Sequence, residues 1–438
     1  MKSNRATPSI AYVALLIALA PAVAPRLLHP VPAMKWGDFE VYYTGAILVH
    51  RGLGSELYTG ADNGLDPQRK PAAPGTPIAI AAQSEGMPTI DYYLYPPLLA
   101  DSLVPLTYVP LRAASRLWVA INLALLVATA ACLASLIQIR LTSIGAAVVL
   151  LGVLCFSPVV DCISWGQITI FLLFLWVVAT TLHAKGYPVW SGVIFALAAA
   201  IKLTPAIVII PFLVWRNWKW VTSFLVSFSV FGAVPVFING SSTLILYFRR
   251  IAPAMSRSIP HLPNLSISSG TQLMIAALRG ITIYPYPTSL PAHIVLAGKA
   301  VSFLLTLTLV LLIARLGRNL AMKNQVLVLA LLALGAPLLS PVSWFHAYAT
   351  AFIAFAVLWS EALRGRLSIA YLTLLTISSI TVGSYVWLAV LVKIAHLHHD
   401  ILTASLGLAH LLVLCALIFW RLVEVGKVSH GAESMAFA

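Results

Sequence analysis

The sequence predicts an all-α polytopic membrane protein, a bundle of about 12 transmembrane helices. Three observations carry this. Of 438 residues, 60% are hydrophobic and only 9% charged, against about 25% charged in soluble chains. Mean hydropathy is +0.94. Apolar stretches of near-membrane length recur from one end of the chain to the other. So few charges cannot coat a water-soluble globule of this size, which excludes a soluble enzyme, a disordered chain, a collagen and a disulfide scaffold. Cys132, Cys155, Cys162 and Cys415 lie singly within apolar runs and read as small hydrophobes, not as a bridge framework or zinc site. The net charge of +14 is spread between spans with no basic tract. It therefore points to membrane lipids and the positive-inside rule, and not to nucleic acid.

Taken in order, spans are expected near 9–28, 113–139, 143–160, 166–184, 188–201, 203–215, 220–238, 292–313, 325–339, 346–361, 367–392 and 401–420. The pair 188–201 and 203–215 is broken by Lys202 and Pro205 and could be one bent hairpin. Pro21 and Pro25, with no small-residue exit site, favour a retained first helix over a cleaved signal peptide. With the N-terminus inside, inner loops hold Lys2, Arg5, Arg140, Lys185, Arg216, Arg318, Arg364 and Arg366 among others, against Glu361, Glu424 and Glu433. That bias sets the orientation. The whole of 1–438 forms one integral membrane domain. Two outer segments, 29–112 and 239–291, are too long to be plain connections. In the first, 59–91 reads as a mobile excursion, and its aromatic flanks read as interfacial helices. No internal repeat stands out, which weakens a transporter architecture.

Asp38 follows Trp36 and Gly37 and precedes Phe39, Tyr42 and Tyr43. An acid walled by aromatics loses water and becomes a better proton acceptor; as the residue before FEVYYTGAILVH it could equally cap a helix. Both roles are compatible. Glu40 points about 200° away on a helix, so no paired-carboxylate site forms there. Asp91 and Asp101 border the YPP turn and read as turn or cap residues. Lys202 interrupts an apolar run, either snorkelling or holding a phosphate. His346 opens a span after a Ser-Pro-Val-Ser-Trp corner on the same outer face. Arg249, Arg250 and Arg257, followed by His261 and Asn264, make a cationic outer loop suited to an anionic ligand or to lipid headgroups. Asp161 and Gln167 flank the SWGQ corner. Loop capping is the default there, although Gln167 could bond a sugar hydroxyl. His396, His398, His399 and Asp400 form a solvated turn with no second cluster to complete a metal site, so no metal and no cofactor are expected.

Five segments in order resemble one family: GDFEVYY at 37–43 with LYTG at 57–60, LYPPLLADSLVPLTYVP at 94–110, SWGQITIFLLFLWVVA at 164–179, IKLTPAIVIIPFLVWRNWK at 201–219, and SPVSWFHAYATAF at 340–352. The pattern is similar to the GT-C superfamily of polyprenol-phosphate-sugar-dependent transferases, specifically glycosyltransferase family 87. That family includes mannosyltransferases acting on phosphatidylinositol mannosides. The resemblance implies a GT-C-like bundle in a bacterial inner membrane with its site facing the periplasm. It implies a polyprenyl-phosphate-sugar donor, mannose as the expected hexose, and a lipid or glycan acceptor hydroxyl. Asp38 would be the general base, with His346 beside the reacting groups. Lys202, Arg249, Arg250 and Arg257 would hold the donor phosphate, and Tyr42, Tyr43, Tyr95, Gln167, Asn264 and Trp344 would meet the substrates. Two departures stand out: Ala347 where relatives often carry a second histidine, and Asn264-Leu265-Ser266 where they often read N-Q-S. The competing class is a transporter or flippase for a lipid-linked or anionic solute, with Asp38 and Lys202 as coupling charges.

Overall fold

The computed structural model describes residues 5–28, 34–61, 71–257, 259–284 and 290–436, those after 427 as backbone alone. All twelve apolar stretches are helical, as they must be where lipid offers no partner for a bare peptide group. Among the described residues, seven helices are long and apolar enough to cross a membrane: α1 (Pro8–Leu28), α5 (Leu111–Leu136), α11 (Trp218–Asn239), α15 (Ala292–Arg315), α16 (Met322–Leu339), the 345–363 helix and α20 (Asp400–Ala436). Two bent pairs raise the number to nine: α6 (Ile144–Cys155) with α7 (Ser157–Trp165) at 51°, and α18 (Ile369–Gly383) with α19 (Val386–His396) at 69°. The other three stretches give shorter helices: α8 (Thr169–Ala184), α9 (Pro188–Ile201), and a 3-10 turn at 204–208 running into α10 (Ile209–Val214). α8 and α9 are largely buried in the protein core. Hydropathy cannot tell such a core helix from a full crossing.

Among the described residues the chain packs as two large adjoining cores and a small third one, in which Leu273, Ala276 and Ala277 meet Ala395 and Ala404. The larger joins α5 and α8 to α16, the 345–363 helix (its last twelve residues α17, Phe352–Leu363), α18 and α20. The smaller of the two large cores is made by the first long loop. There α2 (Gly37–His50), α3 (Pro77–Ser84) and α4 (Pro97–Leu103) gather Tyr42, Tyr43, Tyr58 and Tyr93 around Leu48 and Leu57. α2 is buried from Val41 to Val49. At Gly45 a β-carbon would come within 2.7 Å of the Tyr93 ring, so a glycine is needed for this close approach. The stretch expected as a mobile excursion is ordered from 71 onward, since Ile78, Ala79, Ala81 and Ala82 of α3 are buried; residues 62–70 lie outside the described residues. The second long loop contains α12 (Ser241–Leu246), a π-helical turn at 247–251, α13 (Ala252–Met255) and α14 (Ile267–Leu278). α14 went unpredicted because the buried polar residues Ser268, Ser269, Thr271 and Gln272 interrupt its apolar set of Ile267, Leu273, Ala276 and Ala277.

At the end of the bundle away from these loops, short polar contacts tie the chain together. Arg421 bonds Glu361 at 2.6 Å and Glu424 at 2.8 Å. Arg364 donates to the Ile137 carbonyl, and the Ala6 amide to that of Leu367. Ser143 and Ser368 cap α6 and α18.

Candidate active site

The site is built where α2 abuts the end of α7. The amides of Lys35 and Trp36 both donate to the Ser164 carbonyl, and the Lys35 ammonium sits 4.5 Å over the Trp165 ring. Gly166 ends α7 in the left-handed region, φ +71°, and a β-carbon there would lie 2.5 Å from that of Phe39. Only glycine satisfies both demands. Trp36, also left-handed at φ 59°, precedes α2 and offers no side-chain cap. Asp38 is thus in the first turn and does not cap the helix. Its charge there is favoured by the helix dipole, and its carboxyl is left free to face Gln167.

The turn at Gly166 delivers Gln167 into the protein. Its Oε1 accepts from the Tyr42 hydroxyl at 2.9 Å, and the amide bonds the Asp38 carboxylate. Burial pushes the Asp38 carboxyl above its ordinary value. The His346 charge, the Gln167 hydrogen bond and Lys202 pull it back, while Asp161 adds a push upward. Lys202 arrives from α9, which stops at Ile201: Pro205 forbids continuation and Lys202 itself is extended, at φ −151° and ψ 126°. His346 is brought in by the 3-10 turn Phe345–Ala351. The corner before that turn is held by Asn264, whose Oδ1 accepts from the Ser343 amide at 2.8 Å. Behind the ring, His346 Nδ1 is 3.5 Å from Asp161 Oδ2, and Asp161 Oδ1 accepts from the Tyr385 hydroxyl at 2.9 Å.

Asp38, Gln167, Lys202 and His346 line one cleft of about 510 Å³, with Tyr95 and Trp344 also in its wall. Asp38 and His346, at opposite ends of this set in the chain, thus meet Lys202 and Gln167 in one cleft. Asp91, read as a turn residue, lines it too; burial first, and then the Asp38 charge, raises its carboxyl. Other candidates are placed elsewhere. Tyr42 is wholly buried behind Gln167. Tyr43 turns the other way, donating to the Val109 carbonyl at 2.9 Å. Asn264 is a buried brace for the 340s corner and is not in the cleft wall. Arg249, Arg250 and Arg257 are exposed; their neighbours Tyr247, Ala252, Met255 and Ser256 line the cleft, but the arginines do not. Asp101 is outside the cleft, accepting from Asn239 at 2.7 Å. His396 and Asp400 tie their turn to Tyr284 and Ile283. No local signal marks Asp161 as the residue behind His346, because their 185-residue separation is closed only by the packing of α7 on the 3-10 turn.

Beside the cleft runs an apolar groove of about 340 Å³, lined by Ala200, Phe228, Phe231, Val236 and Leu244 among others. Pro96, Leu203 and Tyr247 belong to both walls. A half-buried acid, a lysine and a histidine therefore face one cleft that adjoins an almost wholly apolar strip.

No curated protein and no solved structure matches the chain. A protein-family model does, over residues 93–341, more than half of the length. Lys202 and Gln167 fall inside the matched stretch; Asp38 and His346 flank it and are returned to it by the fold. The integral membrane protein described here belongs to glycosyltransferase family 87.

Proposed function

We propose that this glycosyltransferase moves a hexose, mannose foremost, from a polyprenyl-phosphate-sugar to a lipid or glycan hydroxyl, with inversion at the anomeric carbon. The observation that carries the reading is the cleft holding Asp38, Lys202 and His346, which shares a wall with an apolar groove. A donor whose sugar phosphate must meet water and charge while its tail stays in hydrocarbon has that same division. Asp38 accepts the proton of the acceptor hydroxyl as its oxygen bonds to C1. The bond from C1 to the phosphate oxygen breaks, and its electron pair stays on phosphate. Lys202 and His346 face the cleft where that negative charge grows, so they favour the transition state over the ground state. Tyr95 and Trp344 supply faces on which a pyranose can stack, and Gln167 holds Asp38 in place. The basic residues that collect at the opposite end, Arg140, Lys185, Arg216 and Arg364, support a cleft facing outward from a bacterial inner membrane, toward the periplasm.

Membranes containing the protein test this when radiolabelled polyprenyl-phosphate hexoses are offered one at a time. The expected result is label in a lipid or glycan product from at least one of them, and none from a nucleotide sugar when polyprenyl-phosphate synthesis is blocked. Transfer straight from the nucleotide sugar would overturn the reading.

A further inference from the structure

Asp161 has no place in the chemistry above, yet it is buried, charged and directly behind a cleft residue. It lies within α7, where burying a carboxylate is costly unless something uses it. Each of its oxygens faces a different donor. Tyr385 reaches Oδ1 from between α18 and α19 at 2.9 Å, and His346 Nδ1 stands 3.5 Å from Oδ2. Arg26 of α1 lies 6.0 Å over the Tyr385 ring, and the Cys162 thiol bonds the His346 carbonyl at 3.3 Å. The imidazole is therefore fixed from its backbone side and from its Nδ1 side, while the ring borders the cleft.

We infer that Asp161, oriented by Tyr385, is the positioning residue for His346. It holds Nδ1–H against its own carboxylate and turns Nε2 toward the donor phosphate and Asp38, to which the Nε2–H of the imidazolium donates. The chemistry of the parts requires this sense. An ionised carboxylate only accepts, so Nδ1 must carry a proton when it faces Asp161, and the ring nitrogen left for the cleft is Nε2. Tyr385 sets which oxygen is free to do so. Asp161 touches neither substrate, and acts only through the ring. The inference rests on the reading of His346 as a group beside the transferred phosphate.

A double-mutant cycle on sugar transfer in membranes tests it. Asp161→Asn keeps the shape of the side chain and offers a donor where an acceptor is needed. It should lower kcat about 10- to 100-fold, with donor KM changed less than about twofold. Tyr385→Phe should give a smaller loss, about 3- to 10-fold, again in kcat. In a His346→Gln background both substitutions should cost less than about twofold further, because the ring they act on is gone. Losses that multiply in that background would show a structural role and overturn the inference. So would a full-rate Asp161→Asn enzyme. If Asp161→Asn fails to fold, as judged by size-exclusion profile, the Tyr385→Phe arm decides by the same rule. Undiminished transfer by His346→Gln itself would instead sink the placement of His346, a separate failure.

Discussion

The two ends of the bundle use acidic residues in opposite ways. At the closed end, Glu361 and Glu424 each meet the Arg421 guanidinium within 2.8 Å, and Arg366 stands 3.9 Å from Glu361. At the cleft end two acids bond amides: Asp38 meets Gln167, and Asp101 meets Asn239. An amide offers one hydrogen bond and no charge, so it does not offset the loss of water. Both carboxyls rise, Asp101 to about 6, and at Asp38 burial outweighs the His346 and Lys202 charges as well as the amide. Ion pairing makes a clasp, whereas amide pairing leaves an acid close to taking a proton.

The comparison breaks most visibly at Asp38. Asp38→Asn should lose transfer by about 10²- to 10⁴-fold while the protein stays folded, measured as initial rate per folded enzyme. Because Asp38 must be ionised to accept a proton and burial raises its carboxyl, wild-type kcat/KM should fall on acidification at a higher pH than an ordinary carboxylate would give. Lys202→Met should raise the donor KM about 10- to 100-fold, the worth of a charge-assisted phosphate contact; an unchanged donor titration would return Lys202 to a snorkelling role. Asp101→Asn should leave turnover near wild type and act on stability. A carboxyl raised in the folded state contributes stability only while protonated, and that contribution is lost as pH rises through about 6. The variant should therefore melt above wild type at neutral pH, and the two should converge as pH falls toward the ordinary carboxylate range. Glu361→Gln, at the closed end, should cost about 1–3 kcal/mol of stability by removing one of the two carboxylates that meet Arg421, with rate per folded molecule unchanged. A large loss of rate there would erase the contrast between the ends.

The helices, the family and the convergence of Asp38, Lys202 and His346 were legible because each leaves a local mark: an apolar run, a motif, or a charge where hydropathy forbids one. Contacts set by packing leave none. Tyr43 stands next to Tyr42 in the sequence, yet one bonds a backbone carbonyl of the first loop and the other bonds Gln167; aromatic composition alone made them equivalent. Asn264 looked like a substrate ligand because an amide in an outer loop is conspicuous, but both ends of its side chain are spent on the backbone of the 259 and 341–343 turns. Asp161 looked like a loop cap, since a residue at a corner usually is one. The three arginines were drawn toward the phosphate by charge alone, and an exposed π-helical turn keeps Arg249 and Arg250 out of the cleft wall.

The wall formed by Pro96, Leu203 and Tyr247 has a practical consequence for purification. A strip lined by Phe228, Phe231 and Val236 does not distinguish an isoprenoid from the alkyl chain of a detergent. Micelle-forming surfactants should therefore compete with the natural tail, and apparent donor affinity should recover when the purified protein is moved into nanodiscs.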